Sequence, residues 1–165
     1  AEHRQTRTSQ ALRAIDAAIA LRPSDPFLHD QRGQILLESR NFAAAVNAYG
    51  RAVQLAPNDP LILSGYGRSL LIVDRVNEAM QVLEKARTID FRDGAMLRDL
   101  SVAYARSGQR GMASVVTAER YALVGRMDDA LIHAKRATDV LDEGSGPWQR
   151  AQDVLIAAER AAKRR

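Results

Sequence analysis

The side chains that carry most enzymatic and metal chemistry are few and scattered in this chain. Its 165 residues include no cysteine and three histidines, His3, His29 and His133. None of these has another histidine at i+3 or i+4, the spacing that places two metal ligands on one helix face. We therefore expect no metal site, no cofactor and no thiolate chemistry.

Other patterns that often accompany catalysis are better explained by helix structure. The run Gly65-Tyr66-Gly67 lies inside a predicted helix and therefore does not form a phosphate-binding loop. Asp128-Asp129 falls in a first helical turn, where the helix dipole stabilises carboxylates. The Gly-x-Ser-x-Gly nucleophile motif is missing from the sequence. We therefore predict a chain that is not an enzyme, with His29 in a structural role and His133 in solvent.

Charge and composition exclude further classes of function. The chain has 24 Lys and Arg against 20 Asp and Glu, a net charge of +4. Because this excess is not concentrated in one basic stripe, we expect no nucleic-acid partner. No apolar run approaches the roughly 18 residues that span a bilayer, so we expect no membrane insertion. Abundant alanine with only 5% aromatic residues favours closely packed helices over sheets.

A period of 34 residues organises the predicted helices. It separates Pro23-Ser24-Asp25-Pro26 from Pro57-Asn58-Asp59-Pro60. In each run the first proline ends a helix, and the aspartate and second proline begin the next one as its N-cap and first residue. Small residues recur with the same spacing, as expected where helix axes cross closely. They form two alanine columns, Ala11, Ala45, Ala79 and Ala113, and Ala18, Ala52 and Ala86.

With this period the chain resembles the tetratricopeptide repeat. The residues that carry the resemblance are Gly33, Leu36, Ala45, Tyr49, Ala52 and Pro57, followed by Gly67, Leu70, Ala79, Leu83 and Ala86. The resemblance implies an all-α helical solenoid of about nine antiparallel helices. We expect these helices near 5–21, 26–38, 42–55, 60–72, 76–88, 95–107, 112–124, 127–141 and 147–163. We expect a single domain over 1–165, with a half repeat in 1–23, repeats in 26–59, 60–93 and 94–141, the last irregular, and a capping helix in 142–165.

The helix expected at 112–124 has two interpretations. It matches the second helix of a repeat only at Ala113, and it also fits a first helix with Ala118 and Tyr121 before Gly125. One helix could therefore serve two overlapping repeats. The alternative is a poorly matching repeat with an ordinary partner helix.

The resemblance also implies a concave groove, lined by the first helices, that binds a protein or peptide segment. In the family register the groove residues are Gln34, Leu37, Glu38, Leu61, Arg68, Leu71, Ile72, Arg98, Val102 and Arg106. Aliphatic residues beside arginines suit a segment that carries an acidic residue. The alternative for Leu71 and Ile72 is burial against a neighbouring element. The Lys/Asn clamp by which some family members hold chaperone C-termini is not reproduced.

A narrower resemblance concerns certain bacterial zinc metalloproteases. The run from Pro26 to Glu38, the run Ala103–Gly108 and the run Gly144–Asp153 are similar to the C-terminal repeat region of BepA-like enzymes. The resemblance implies a non-catalytic docking region beside a protease domain, and a periplasmic location, although a cytoplasmic one stays open. The chain begins at Ala1 without methionine, and we expect it to be part of a longer protein. The alternative is a stand-alone scaffold or a co-chaperone-like adaptor.

Overall fold

The computed structural model describes residues 2–163, with side chains from residue 6 onward. Over this range the chain forms nine helices and no strand, which confirms the all-α prediction. The helices are α1 (Glu2–Leu21), α2 (Pro26–Glu38), α3 (Phe42–Leu55), α4 (Pro60–Ile72), α5 (Val76–Ile89), α6 (Gly94–Arg106), α7 (Arg110–Leu123), α8 (Met127–Thr138) and α9 (Gly146–Ala162).

Aspartates begin three of the helices, and they recur every 34 residues. The Asp25 carboxylate accepts a hydrogen bond from the Phe27 amide at 3.0 Å, and Asp59 accepts one from Ile62 at 3.0 Å. Asp93 does the same for Ala95 at 2.8 Å. Each carboxylate satisfies an amide that has no partner within the helix. The N-caps predicted at Asp25 and Asp59 are confirmed.

The turns that follow α2, α4 and α6 share one backbone conformation. Arg40, Asp74 and Gly108 have positive φ angles of 64°, 65° and 79°. Only Gly108 is a residue for which this left-handed conformation has no steric cost. The 34-residue period therefore extends to the backbone of the turns, although the residue type does not repeat.

The first of two compact units ends at Ile89 and contains α1 to α5. Within it α2 packs on α3, α4 packs on α5, and α4 also contacts α2 and α3. Four members of the predicted alanine columns, Ala45, Ala52, Ala79 and Ala86, have no exposed surface, whereas Ala11 and Ala18 are only half-buried. Glycine also allows close packing, since a Cβ at Gly67 would lie 2.5 Å from Leu83 Cγ.

The second unit begins at Asp90 and contains α6 to α9. Its α7 packs along both α6 and α8 and also contacts α9. Arg150 of α9 donates two hydrogen bonds to the Glu119 carboxylate of α7, at 2.7 and 2.8 Å. Ala113 is only half-buried. The prediction that the first alanine column continues into this unit is therefore wrong.

Helix α8 ends at Thr138, three residues before the predicted end at 141. The chain turns there, and the Leu141 side chain packs on the cluster of Val115, Ala137 and Ala151. A Cβ at Gly111 would lie 2.7 Å from Leu141 Cδ2. The early end of the helix therefore places Leu141 in the core of this unit instead of extending α8.

Candidate partner-binding surface

The predicted groove residues of the first unit, which we call the α2–α4 face, are Gln34, Leu37, Glu38, Leu61, Arg68, Leu71 and Ile72. Leu61 and Ile72 are 62% and 44% exposed. Leu71 is only 7% exposed. The alternative of burial therefore holds for Leu71 and not for Ile72, and we correct the groove assignment of Leu71. The reason is that α4 is enclosed by α2, α3 and α5.

The remaining members of the α2–α4 face come from α2 and the middle of α4. Leu37 is half-buried against the cluster of Leu36, Ala45 and Ala48. Gln34 and Glu38 are exposed, and the Gln34 amide donates to the Glu38 carboxylate at 3.1 Å. The exposed part of this face is thus aliphatic on α4 and polar on α2.

A charged cluster lies where α2, α3 and α4 meet. Burial and the nearby Asp59 carboxylate raise the pKa of Asp30 to about 6. Burial, followed by the negative charge of Asp30, raises the pKa of Tyr49 to about 12, while the Arg68 guanidinium opposes that increase. Arg68, which is half-buried, therefore supplies positive charge to a cluster that is otherwise acidic.

A cavity of about 430 Å³ adjoins the α2–α4 face at the start of the chain. It lies between α1 and α2, and its lining residues are Arg7, Thr8, Ala11, Ile35 and Glu38. Glu38 therefore borders both the predicted groove and this cavity.

The predicted groove residues of the second unit, the α6 face, are Arg98, Val102 and Arg106. All three are exposed, and Val102 has 42% of its surface accessible. Arg98 forms long hydrogen bonds of 3.3 Å to the neighbouring Asp99 carboxylate. The α6 face thus presents an aliphatic side chain with an arginine one helical turn away on either side.

Val102 also lines a cavity of about 230 Å³ that the sequence did not predict. We call it the α6–α8 pocket, because its walls come from α6, α7 and α8. The lining residues are Ser101, Val102, Ala105, Ala113, Ser114, Thr117, His133 and Arg136. Arg136 follows Val102 by 34 residues, so extending the groove register by one repeat would have indicated this position.

His133 is not the solvated residue that we expected. It is half-buried, and its ring stacks on Tyr121 of α7 with the ring centroids 5.5 Å apart. Burial and the Arg136 charge lower the pKa of the imidazole. The flanking residues Asp128, Lys135 and Arg136 are exposed, but the side of α8 that carries His133 faces α7.

Two arginines also contact Tyr121. The guanidinium carbons of Arg120 and Arg126 each lie 4.7 Å from the centroid of its ring. Arg126 is paired with the Asp129 carboxylate at 2.7 Å. The Nε atom of Arg120, by contrast, is buried and has no hydrogen-bond partner among the described residues. Tyr121 therefore contacts two guanidinium groups, of which one is paired with a carboxylate.

Of the other two histidines, the structure describes the side chain of His29. His29 Nε2 lies 2.9 Å from the Pro23 carbonyl oxygen, so the ring can tie α2 to the loop before it, and the side chain of His3 lies outside the described residues. Between residues 6 and 163, no three His, Asp or Glu side chains are grouped to hold a metal ion. No helix in the part of the chain that the structure describes is long and apolar enough to cross a membrane.

Comparison with known proteins agrees with the helical repeat fold. Residues 36–111 match the family model of the tetratricopeptide repeat, whereas no curated protein matches the chain. A crystal structure of MamA superposes with a TM-score of 0.70 at 14% identity, covering 97% of this chain and 91% of MamA. TTC0263, a thermophilic TPR protein of Thermus thermophilus, gives a TM-score of 0.59 at 18% identity and covers 92% of each chain.

A third structure is that of YrrB, described as a TPR protein with an unusual peptide-binding site. It gives a TM-score of 0.65 at 16% identity and covers 96% of this chain and 84% of YrrB. At these identities the likeness concerns the fold alone. The repeat period, the helix pairs and the match over residues 36–111 lead to the same conclusion. The chain therefore has an all-α fold of the tetratricopeptide-repeat type, and residues 36–111 carry the match to the repeat family.

Proposed function

We propose that this chain is a protein–protein interaction module that binds a peptide or partner segment on the faces of its first helices. The observation that carries the proposal is the combination of exposed aliphatic side chains with arginines in each unit. Ile72 lies one helical turn from Arg68 on the α2–α4 face, and Val102 lies between Arg98 and Arg106 on the α6 face.

Each half of this combination has a separate physical role. Burial of the aliphatic side chains contributes about 25 cal/mol per Å² of apolar surface, with little selectivity. The guanidinium groups form paired hydrogen bonds with carboxylates, which fix the register and direction of the bound segment. Tetratricopeptide repeats commonly serve protein–protein interaction, and the peptide-binding site of YrrB supports the same role for this chain.

We also propose that the chain is the non-catalytic C-terminal repeat region of a periplasmic zinc metalloprotease. The support is the resemblance of the runs that begin at Pro26, Ala103 and Gly144 to BepA-like enzymes. The alternative is a stand-alone scaffold or adaptor. Sequencing the parent gene separates them, because the protease assignment requires a His-Glu-x-x-His segment upstream, and its absence would refute that assignment.

The binding role is tested by selecting random twelve-residue peptides displayed on phage against the chain. Peptides that are recovered repeatedly are then synthesised, and their dissociation constants are measured by fluorescence polarisation. We expect Ile72→Ser or Val102→Ser to weaken binding by roughly three- to ten-fold, because each removes buried apolar area. Arg68→Gln is preferable to a charge reversal, because a new carboxylate at 68 would add to the acidic cluster around Asp30.

Arg51→Gln provides the matched control for Arg68→Gln. Arg51 is an exposed arginine of α3 whose guanidinium donates a hydrogen bond to Gln54 of its own helix. It has the same charge as Arg68 but does not belong to the α2–α4 face. We expect this control to bind the selected peptides as the unmodified chain does. Failure to select any peptide, or equal losses in the face variants and the control, would refute binding on these faces.

A further inference from the structure

The α6–α8 pocket is too small for a drug-sized ligand but large enough for one side chain. Its volume is about 230 Å³, below the range of roughly 300–1,000 Å³ that is usual for small-molecule sites. Ala105 and Ala113 contribute apolar surface to its lining, while Ser101, Ser114 and Thr117 contribute hydroxyl groups. Because Val102 belongs to both the pocket and the α6 face, a segment bound on that face passes its opening.

The side chain with a permanent charge among the lining residues is a cation. Arg136 lines it, is exposed and makes no salt bridge or hydrogen bond with any described residue. Arg120 lies close enough to His133 to affect its charge, and its buried Nε–H lacks an acceptor in the described part of the chain. The nearby carboxylate of Asp129 is already paired with Arg126. The guanidinium group that lines the pocket, that of Arg136, therefore lacks a counter-ion among the residues that the structure describes, and Arg120 adds positive charge near His133.

His133 adds a directional donor to this arrangement. Its ring lines the pocket and is held in place by stacking on Tyr121 at 5.5 Å. An imidazole N–H can donate to a carboxylate oxygen while the arginines supply positive charge. The lining thus combines a fixed donor, hydroxyl groups and one guanidinium group around a volume that fits one acidic side chain.

We propose that the α6–α8 pocket is a subsite for a single carboxylate side chain, Asp or Glu, of the bound segment. This inference rests on the proposed binding function and identifies one feature that its ligand must have. It differs from the Lys/Asn clamp of other family members, because its polar residues come from α7 and α8 as well as from α6. A carboxylate there would occupy the space between His133 and Arg136.

The test uses a small mimic of a glutamate side chain, N-acetyl-glutamate N-methylamide, titrated into the ¹⁵N-labelled chain. We expect saturable NMR shifts of the Ser101, Thr117 and His133 amides. The matching glutamine compound, which is isosteric but uncharged, should cause none. Removing the charge with Arg136→Gln should weaken binding by roughly ten-fold, the usual effect of losing one charge-assisted hydrogen bond.

Lys135→Gln is the matched control, because this exposed residue precedes Arg136 on α8 and does not line the pocket. It removes the same charge and should leave the affinity within about two-fold, as expected for a surface charge outside the site. Equal losses in the two variants, or equal shifts with the glutamine compound, would overturn the subsite. Inorganic phosphate is titrated in parallel, and phosphate binding without binding of the glutamate compound would overturn the carboxylate assignment.

Failure of the subsite and failure of the proposed function give different results. If the selected peptides bind the chain but the glutamate compound does not, the subsite is wrong and the binding module stands. If the glutamate compound binds through Arg136 and no peptide can be selected, the pocket recognises carboxylates and the proposed peptide binding is wrong.

Discussion

The contact between Gly67 of α4 and Leu83 of α5 allows a quantitative test of the repeat packing. A Cβ at position 67 would lie 2.5 Å from Leu83 Cγ and 2.6 Å from Leu83 Cδ2, well inside van der Waals contact. Leu83 has no exposed surface, and its Cγ is the branch point of the side chain. Gly67→Ala therefore requires the two helices to move apart.

Two effects of Gly67→Ala on the free energy of unfolding oppose each other. Alanine gains about 1 kcal/mol over glycine in a helix interior, whereas overpacking of a closed core costs roughly 1–3 kcal/mol. The difference between Gly67→Ala and Gly50→Ala isolates the cost of overpacking, because Gly50→Ala has the same gain in helix propensity in α3. A Cβ at Gly50 would only touch the Tyr66 ring, at 3.8 Å.

We therefore expect Gly50→Ala to stabilise the chain by up to about 1 kcal/mol. Gly67→Ala should lie roughly 2 kcal/mol below Gly50→Ala, or about 4–8 °C in melting temperature for a chain of this size. The measurement is urea and thermal unfolding followed by circular dichroism at 222 nm. Comparing the two variants removes the shared helix-propensity effect.

Leu83→Ala provides a second comparison, since it removes the side chain that a Cβ at 67 would strike. Alone it should cost about 2–5 kcal/mol as a buried leucine truncation. In that background Gly67→Ala should become neutral or stabilising, which a double-mutant cycle would record as a favourable coupling energy. If Gly67→Ala and Gly50→Ala are equally stable, or if their effects simply add to that of Leu83→Ala, the assigned packing is wrong.

Two further predictions concern the electrostatics of each unit. The pKa of Asp30 is raised from 3.8 to about 6, so the folded chain binds the extra proton and stability falls as the pH rises from 4 to 6. Asp30→Asn should therefore stabilise the chain by about 1 kcal/mol at pH 7, after discounting for partial exposure. At pH 3.5 it should have no effect. If the urea midpoints of the variant and the unmodified chain differ by the same amount at both pH values, this prediction is wrong. Glu119→Gln should destabilise it by about 1–2 kcal/mol, because it weakens the paired hydrogen bonds from Arg150. The exposed i,i+3 pair Arg75–Glu78 is the control, and Glu78→Gln should leave the urea midpoint unchanged. Equal shifts of the midpoint in Glu119→Gln and Glu78→Gln would show that the Arg150–Glu119 pair stabilises the chain no more than an exposed pair does.

The features that the sequence predicts correctly depend on neighbours a few residues away. Asp25 and Asp59 cap their helices through bonds that reach two or three residues along the chain, so their types and spacing are sufficient. The 34-residue period identifies Ala45 and Ala79 as close-packed positions, because the α2–α3 and α4–α5 pairs meet at the same register. The fold class and the helix spans follow from these two kinds of information.

The surface assignments cannot be made in this way, because exposure depends on every helix that surrounds a residue. Leu71 and Ile72 are adjacent on α4 and similar in character, yet one is buried and the other is 44% exposed. Only the combined positions of α2, α3 and α5 around α4 separate them. The repeat register alone therefore assigns both residues to the groove, and for Leu71 that assignment is wrong.

The α6–α8 pocket also combines residues that the sequence shows with a geometry that only the tertiary structure sets. The types of His133, Arg136 and Thr117 are visible in the sequence, but the space between them is set by how far apart three helices pack. The charges beside His133 on α8 predict a solvated ring, whereas the partner that orients it, Tyr121, comes from α7. Local sequence therefore specifies the helices and their repeat. The cavity and its cationic lining depend on tertiary packing, because the distances between side chains on different helices are not encoded in local spacing.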